Sequence, residues 1–490
     1  MSTSLLDHVR TLLLQAAQTY RASPSGPSLQ AVVDRLDEPL RVAVAGKVKA
    51  GKSTLLNALV GERLAPTDAG ECTRIVTWYR DGLTYRVTLH PLQGAARQVP
   101  FTHDHGAMDV RLGATDPRDI ERLEVEWPSA SLRATTLIDT PGIASLSSDL
   151  SERTQAFLAP DDDQPTTADA VIYLMRHLHA TDVRLLEAFH DDSAARAAPI
   201  NTVAVLSRAD EVGAGRIDAL HTARRIAKRY RSDPQVQRLC QTVVPVAGLL
   251  AESAATLRQD EFGAFRTIAG AERGDVEALL LSADRFREAE TDIGLSAPVR
   301  EGLLRRFGLF GVRLGDMLIR RGVATTADEL AGELLRQSGL RDLREVLTNQ
   351  FSERHEVLRA RSALAVLESC LRADERPEAS ALMSALERLR AGAHEFAEIR
   401  LLNALATGGV RFAEPAIRLD AERLLGAHGR AVTVRLGLPP DASPDQIRQA
   451  TAEAIAVWRR RAESPLASPT VADAALIVAR SCEGHLMALA

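Results

Sequence analysis

Residues 41–57 read Arg41-Val42-Ala43-Val44-Ala45-Gly46-Lys47-Val48-Lys49-Ala50-Gly51-Lys52-Ser53-Thr54-Leu55-Leu56-Asn57. The apolar run at 42–45 has the composition of a short buried strand. It feeds straight into 46–53, which has the spacing G-x-x-x-x-G-K-S, and residues 54–60 continue with apolar positions at helical spacing. Strand, glycine-cornered loop and helix are the context a phosphate-binding loop needs. Gly46 and Gly51 allow torsions and approaches that a Cβ forbids. The loop N–H groups then turn inward on a phosphate, helped by the positive end of the following helix. Residues Gly46, Lys47, Val48, Lys49, Ala50, Gly51, Lys52, Ser53 and Thr54 are therefore the expected phosphate-side contacts. Lys52 is expected to reach the β- and γ-phosphates, and Ser53 to ligate Mg²⁺. Lysine occurs only at 47, 49, 52 and 228, so three of four fall in this loop while the remaining cations are arginines. A compact ammonium has been kept where a point charge is wanted.

The base is specified elsewhere. Residues 134–142, Ala-Thr-Thr-Leu-Ile-Asp-Thr-Pro-Gly, form a second apolar strand ending in D-T-P-G. Asp139 is expected to hold magnesium through water and the Gly142 N–H to sense the γ-phosphate. Residues 201–206 are a third strand, followed by Ser207-Arg208-Ala209-Asp210. A carboxylate at 210 accepts both the N1–H and the 2-amino group of guanine, a donor pair adenine lacks; the wrong base leaves buried groups unpaired. This disfavours an ATPase. Residues 242–248 form the next strand, whose end, at Ala247 and Gly248, is expected to supply backbone contacts to the base.

These elements, in this order and each at a strand end, resemble the G1, G3, G4 and G5 elements of the GTPase superfamily. Ser207 and Arg208 stand where that superfamily commonly writes Asn or Thr and then Lys. For the threonine that closes over magnesium the favoured residue is Thr73, with Thr67 and Thr77 as competitors. Ras-like proteins follow D-x-x-G with a glutamine that orients the attacking water; Ile143 occupies that place here. Catalysis is then completed by a partner or by a second copy of the domain. Val48 sits where eukaryotic dynamins carry a loop glutamine. Lys49 sits where guanylate-binding proteins and atlastins carry a catalytic arginine, and several bacterial dynamin-like proteins carry lysine there. Two roles stay open for Lys49: neutralising charge on the transferring phosphoryl group when two G domains meet, or a solvated surface lysine.

At 490 residues the chain holds two to four domains. Its 26% charged and 45% hydrophobic residues are ordinary for a globular protein. A net charge of −5 argues against nucleic acid as the main partner. Cys72, Cys240, Cys370 and Cys482 lie far apart, which favours reduced, buried thiols in a cytoplasmic protein over disulfides or zinc. The N-terminus lacks a signal peptide and no apolar run is long enough to span a bilayer, so membrane contact is expected to be peripheral.

Residues 3–21 read as an amphipathic helix, a Ser/Pro/Gly stretch at 23–28 breaks it, and 29–36 is a second, short helix. Between the two phosphate-side motifs the chain looks sheet-like at 73–79, 85–90 and 123–127. His103-Asp104-His105 reads as a solvated polar loop rather than a metal site, and 145–164 as a switch loop. Residues 170–175 resume the sheet and 181–190 read as a helix. From 249 onward strand signals nearly vanish. Candidate helices run at 351–373, 377–406, 412–437, 441–463 and 468–489, and their apolar stripes must be buried on one another. The expected fold is an α/β P-loop GTPase domain, with a mostly parallel sheet flanked by helices. To it is joined an α-helical bundle or stalk built from the N-terminal helices and the C-terminal region. The expected divisions are 1–38, 39–350 and 351–490.

A GTPase head with a helical preface and a long helical tail, lacking the switch glutamine, resembles the dynamin superfamily. Within it the chain is similar to the isoniazid-inducible dynamin-like proteins of mycobacteria, on residues 46–53, 137–142, 206–213 and 245–252. That resemblance implies GTP and Mg²⁺ as ligands, hydrolysis coupled to G-domain self-association, and a paralogous dynamin-like partner. It also implies remodelling of an anionic membrane surface at the inner face of the plasma membrane. The alternative is a GTP-gated switch that recruits a partner and never deforms lipid. Residues 306–313 and 407–412 each combine apolar residues with flanking arginines, as an interfacial loop would; helix-end core packing with snorkelling arginines is the favoured reading of both. Trp458-Arg459-Arg460-Arg461 reads as a solvated helix face.

Overall fold

The computed structural model describes residues 4–65, 75–104, 107–113, 115–141, 168–177, 183, 201–291, 293–352, 354–374, 376–429 and 431–488. Eleven strands lie among them. They are β1 Leu40–Gly46, β2 Thr77–Asp81, β3 Arg86–Pro91, β4 Arg97–Gln98, β5 Phe101–Asp104, β6 Ala107–Val110, β7 Ile120–Trp127, β8 Thr135–Asp139, β9 Ala170–Met175, β10 Thr202–Ser207 and β11 Val243–Val246. Nine make one sheet in the order β11-β10-β9-β1-β8-β2-β7-β3-β4. The half from β11 to β8 is parallel, so β1, β8, β9, β10 and β11 all point their carboxyl ends at one edge. At β8–β2 the sheet turns antiparallel, with Thr77 opposite Asp139. Ligands in open α/β sheets bind outside the carboxyl ends of such strands, where the chain turns from strand to helix.

Side chains alternate along β1. Val42 and Val44 enter one hydrophobic cluster, Ala43 and Ala45 another. Successive residues of a strand face opposite sides, so the centre of the sheet is buried on both faces, and the apolar runs in the sequence follow from that. On the Val42/Val44 face lie the phosphate-loop helix Lys52–Val60, the N-terminal helices Leu5–Thr19 and Gly26–Arg35, and the helix His355–Ala373. Tyr20 donates its hydroxyl to the Asp374 carbonyl at 3.0 Å, and Arg359 donates to the Leu36 carbonyl at 3.0 Å. The N-terminal helices are thus tied to the C-terminal helical region and to the sheet at once. The opposite face carries helices Ala219–Arg231, Gln259–Gly270 and Ala297–Arg320.

A third cluster lies wholly within residues 401–482 and centres on Trp458. That ring is fully buried, stacks edge-on with Phe412 at 5.4 Å and donates its N–H to Asp420 at 3.1 Å. The solvated-face reading of Trp458 is therefore corrected. Arg459 and Arg460 face outward, Arg459 pairing with Glu483, and the half-buried Arg461 guanidinium lies 4.6 Å from the indole centroid. The long helix expected over 377–406 is two helices, Ala379–Gly392 and His394–Thr407, separated by extended Ala393. The one expected over 412–437 is Pro415–Leu424 and Val432–Leu436. His103 and Asp104 sit on β5 of a two-stranded hairpin with β6, not in a loop. Cys240, Cys370 and Cys482 are buried free thiols; Cys72 lies outside the described residues.

In both candidate interfacial stretches the burial supports the favoured core-packing reading. Phe307, Phe310 and Val312 are fully or nearly fully buried. Arg306 is spent on a buried pair with Glu261, Nε to Oε1 at 2.6 Å. In the second stretch Val410 is buried and Phe412 rests on Trp458. The apolar residues of both stretches pack inward, while Arg306 pairs with Glu261 and the exposed Arg411 donates to the Gly408 carbonyl at 3.2 Å.

Truncating Trp458 to alanine is expected to cost about 3–5 kcal/mol and to unfold the third cluster before the sheet. Denaturant unfolding followed separately by far-UV circular dichroism and by a nucleotide-site probe checks this; a stability change under about 1 kcal/mol would show that the ring is not the centre of that cluster.

Candidate functional site

The phosphate loop leaves β1 at Gly46, whose φ is +148°. A Cβ there would meet the Leu174 carbonyl oxygen at 2.5 Å, so glycine is required by the close approach of β9. Gly51, at φ +93°, is the N-cap of the helix Lys52–Val60. Lys49 is also left-handed, at φ +62°, a conformation that costs an L-residue roughly 1–2 kcal/mol. Its carbonyl is held from two sides, by Arg208 Nη2 at 3.0 Å and Arg176 Nη2 at 3.4 Å. The side chains of Val48 and Lys49 are exposed at the rim of the loop.

Lys52 is buried, and its ammonium donates to the Gly46 carbonyl at 3.2 Å and to the Lys47 carbonyl at 3.4 Å. Burial pushes its pKa down, opposed by the charge of Asp139. A buried cation held chiefly by carbonyl dipoles is only partly compensated, and an arriving phosphate would stabilise it. Ser53 Oγ donates to Asp139 Oδ2 at 2.9 Å. The Asp139 carboxyl is buried at the end of β8; burial pushes its pKa up, while Lys52 and the Ser53 hydroxyl pull it down. Its other oxygen, Oδ1, is buried with no hydrogen-bond partner. A hydroxyl beside a carboxylate with a spare buried oxygen is an all-oxygen donor set that suits a hydrated Mg²⁺. Thr140, next in the chain, donates its hydroxyl to the Val44 carbonyl at 2.9 Å and locks the end of β8 to β1.

Beyond the loop, a cavity of about 140 Å³ runs from Ala50, Gly51 and Thr54 to Ser207, Arg208 and Asp210, with Gly248 and Leu249 on its wall. The phosphate loop and the carboxylate at 210 thus face one space. Asp210 lies in a 3₁₀ turn, Ala209–Glu211, directly after β10. Burial pushes its pKa up to about 6, with a smaller rise from Glu211 and a lowering from Arg208. Arg208, at φ +52°, bridges the Lys49 carbonyl and Glu211 (2.7 Å), joining the turn to the phosphate loop. Ser207 lines the cavity and donates to the Met175 carbonyl at 3.3 Å. Ala247 is fully buried and its N–H is taken by the Ser338 carbonyl, whereas Gly248 reaches the cavity.

Thr73, Thr67, Gly142, Ile143 and the stretch 145–164 lie outside the described residues, as does 181–190 apart from Val183. Thr77 is described: it is buried in β2 and donates its hydroxyl to the Ile75 carbonyl at 3.2 Å. Arg176, Leu174 and Leu249 are site residues that sequence reasoning missed. Position directly after a strand, as at Arg176, was the one signal that pointed to any of them.

A family model described as the dynamin family matches residues 42–176. Isoniazid-induced protein IniC of Mycobacterium tuberculosis is 42% identical over 490 residues, covering 99% of this chain and 98% of that one. A bacterial dynamin-like protein of Nostoc punctiforme is 33% identical over 119 residues, 21% of this chain and 16% of that one. Isoniazid-induced protein IniA of Mycobacterium tuberculosis is 35% identical over 115 residues, 22% of this chain and 18% of that one. With a relative this similar from end to end, and a P-loop and strand-end carboxylates in one cleft, the chain belongs to the dynamin family of GTPases, together with the isoniazid-induced dynamin-like proteins.

Proposed function

We propose that the chain binds GTP with Mg²⁺ in the cleft between the phosphate loop and Asp210, and hydrolyses it when two G domains meet. In this reading residues 39–350 are the G domain, and residues 1–38 join 351–490 as a helical stalk that transmits nucleotide state to a membrane surface or a paralogous dynamin-like protein. The observation that carries it is the shared cavity: Gly51 and Thr54 line one end and Asp210 the other.

Gly46, Lys47, Val48, Lys49, Ala50 and Gly51 would present their backbone to the phosphates. Lys52 would exchange its carbonyl partners for phosphate oxygens and hold negative charge there. Ser53 and Asp139 (the latter through water) would hold the metal, with Thr73 closing over it and Gly142 sensing the γ-phosphate. When bound, Mg²⁺ neutralises charge on the β- and γ-phosphate oxygens. Asp210 accepts the two guanine donors, Ser207 and Arg208 hold its turn, and Gly248 supplies the base wall. Lys49, exposed at the rim, is placed to add a positive charge across an interface between two heads.

The burial of the apolar residues Phe307, Phe310, Val312 and Val410 favours a second reading, in which the same GTPase recruits a partner without deforming lipid. Cosedimentation with vesicles containing anionic lipid separates the two: GTP-dependent pelleting is expected from the first, and a chain soluble with and without GTP would establish the second. Among the described residues no helix is long and apolar enough to cross a membrane.

Asp210 must be ionised to accept both guanine donors. With its pKa raised to about 6, GDP affinity is expected to be flat above neutrality and to fall by up to about tenfold per pH unit below pH 6. Asp210→Asn should flatten that profile and move preference toward xanthine nucleotides by about a hundredfold, the worth of two hydrogen bonds to a charged group. Competition titrations against a fluorescent GDP analogue read both effects, and retained guanine preference would misplace the base contact. Turnover per molecule should rise with protein concentration, and Lys49→Ala should lower the plateau about tenfold or more. A steady-state rate independent of concentration and unchanged in the variant would return Lys49 to the solvated role.

A further inference from the structure

The helix Ala297–Arg320 is kinked at Gly308, whose torsions, φ +63° and ψ 173°, are not helical. Such a combination is open essentially to glycine alone. The break does not fall at random. A β-carbon at 308 would lie 3.8 Å from Asp210 Oδ2 and 3.8 Å from Leu249 Cδ2, and Asp210 and Leu249 both line the nucleotide cavity. A side chain longer than methyl would reach the carboxylate itself. Just before the break, the Arg306 carbonyl accepts a hydrogen bond from the Ser253 hydroxyl, on the helix Gly248–Ala255 that starts at the cavity wall.

Five residues past the break, Arg313 grips the chain that follows Asp210. That chain runs through three left-handed residues in succession, Gly213 (φ +63°), Ala214 (φ +60°) and Gly215 (φ +67°). Arg313 Nη1 donates to the Ala214 carbonyl at 3.2 Å and the Gly215 carbonyl at 2.6 Å, while Nε donates to the Leu280 carbonyl at 3.0 Å. The loop also approaches the helix backbone closely: a β-carbon at Gly215 would lie 3.7 Å from the Phe310 nitrogen and 3.5 Å from the Asp210 carbonyl oxygen. A rigid guanidinium fork that satisfies several carbonyls at once fixes position as well as energy.

We infer that the broken helix is a splint for base selection, with Gly308 and Arg313 as positioning residues that aim the Asp210 carboxylate. Gly308 lets the helix break beside that carboxylate with torsions that a β-carbon would strain, and Arg313 holds the otherwise unfavourable 213–215 turn in the register that presents it. The inference rests on the assignment of Asp210 to the guanine base. It adds two residues, about 100 positions downstream in the chain, to the determinants of nucleotide choice.

Comparison of GDP with inosine diphosphate, which keeps the N1–H and lacks the 2-amino group, reports whether Asp210 reaches both donors. Affinities for the two, with thermal unfolding alongside, are measured for wild type, Gly308→Ala, Arg313→Lys and Gly302→Ala. Gly302 lies on the same helix, a β-carbon there would meet nothing within 4 Å, and it serves as control. Gly308→Ala and Arg313→Lys are expected to lower the preference for GDP over inosine diphosphate about tenfold, the loss of one well-aligned bond to a charged acceptor, while Gly302→Ala keeps the wild-type ratio. A general loss of affinity for both ligands at an unchanged ratio would reduce the two residues to structural support and overturn the inference. If Gly308→Ala does not fold, the ratio in Arg313→Lys decides. A wild-type protein with no preference for GDP over adenosine or inosine diphosphate would remove the assignment of Asp210 along with the splint, whereas a wild-type preference that survives both substitutions removes the splint alone.

Discussion

The structure depends on an ammonium ion brought out of water at the carboxyl edge of a parallel sheet. Lys52 is buried, shares two loop carbonyls, and senses the Asp139 carboxylate that Ser53 holds on the next strand. Burying such a charge is tolerable only because β1 and β8 run side by side and end together, which places a cation, a hydroxyl and a carboxylate within one turn of each other. The parallel register from Leu40↔Thr135 to Val44↔Asp139 is therefore as much a part of the site as the loop itself. The helical preface bears on the same register, because the strand order leaves the Val42 and Val44 face of β1 to be covered by the N-terminal helices and by His355–Ala373.

This dependence explains what could be read before the fold was known. Strands of a parallel sheet buried on both faces have to be apolar throughout, so β1, β8, β9, β10 and β11 announced themselves as short apolar runs, and the polar residues directly after them were the site. Gly46 was legible for the same reason: only a residue without a Cβ passes Leu174 at that distance. The separate two-stranded hairpin was harder. The hairpin of β5 and β6 has His103 and Asp104 on one strand and Asp109 on the other, and without a two-sided core to enforce an apolar pattern it resembled a loop.

Composition leaves its readings open where tertiary contacts replace solvent. Arginine beside phenylalanine in residues 306–313 has the composition of an interfacial loop, yet Arg306 finds Glu261 and Arg313 finds backbone carbonyls, which lets the aromatics go inside. Periodicity carries no record of a partner 45 residues away. The same holds for Trp458, whose three arginine neighbours disguise a ring that Asp420 and Phe412 hold in a core. The helix break at Ala393 was invisible because it does not interrupt the apolar stripe.

In the proposed reading, phosphate grip and base choice are joined mechanically as well as by proximity. Arg208 leaves the base turn to hold the Lys49 carbonyl, and Arg176 reaches the same oxygen from the end of β9. Lys49 would otherwise relax out of its left-handed conformation, since nothing in an L-residue favours it. Two guanidinium groups on one carbonyl offset that strain and keep the exposed side chain of residue 49 at the rim. A shift of the Asp210 turn is then felt at the phosphate loop through Arg208, and a shift of the loop is felt at β9 through Arg176. The rim, where a second head would have to dock, thus inherits its shape from whether the cavity beneath it is correctly filled.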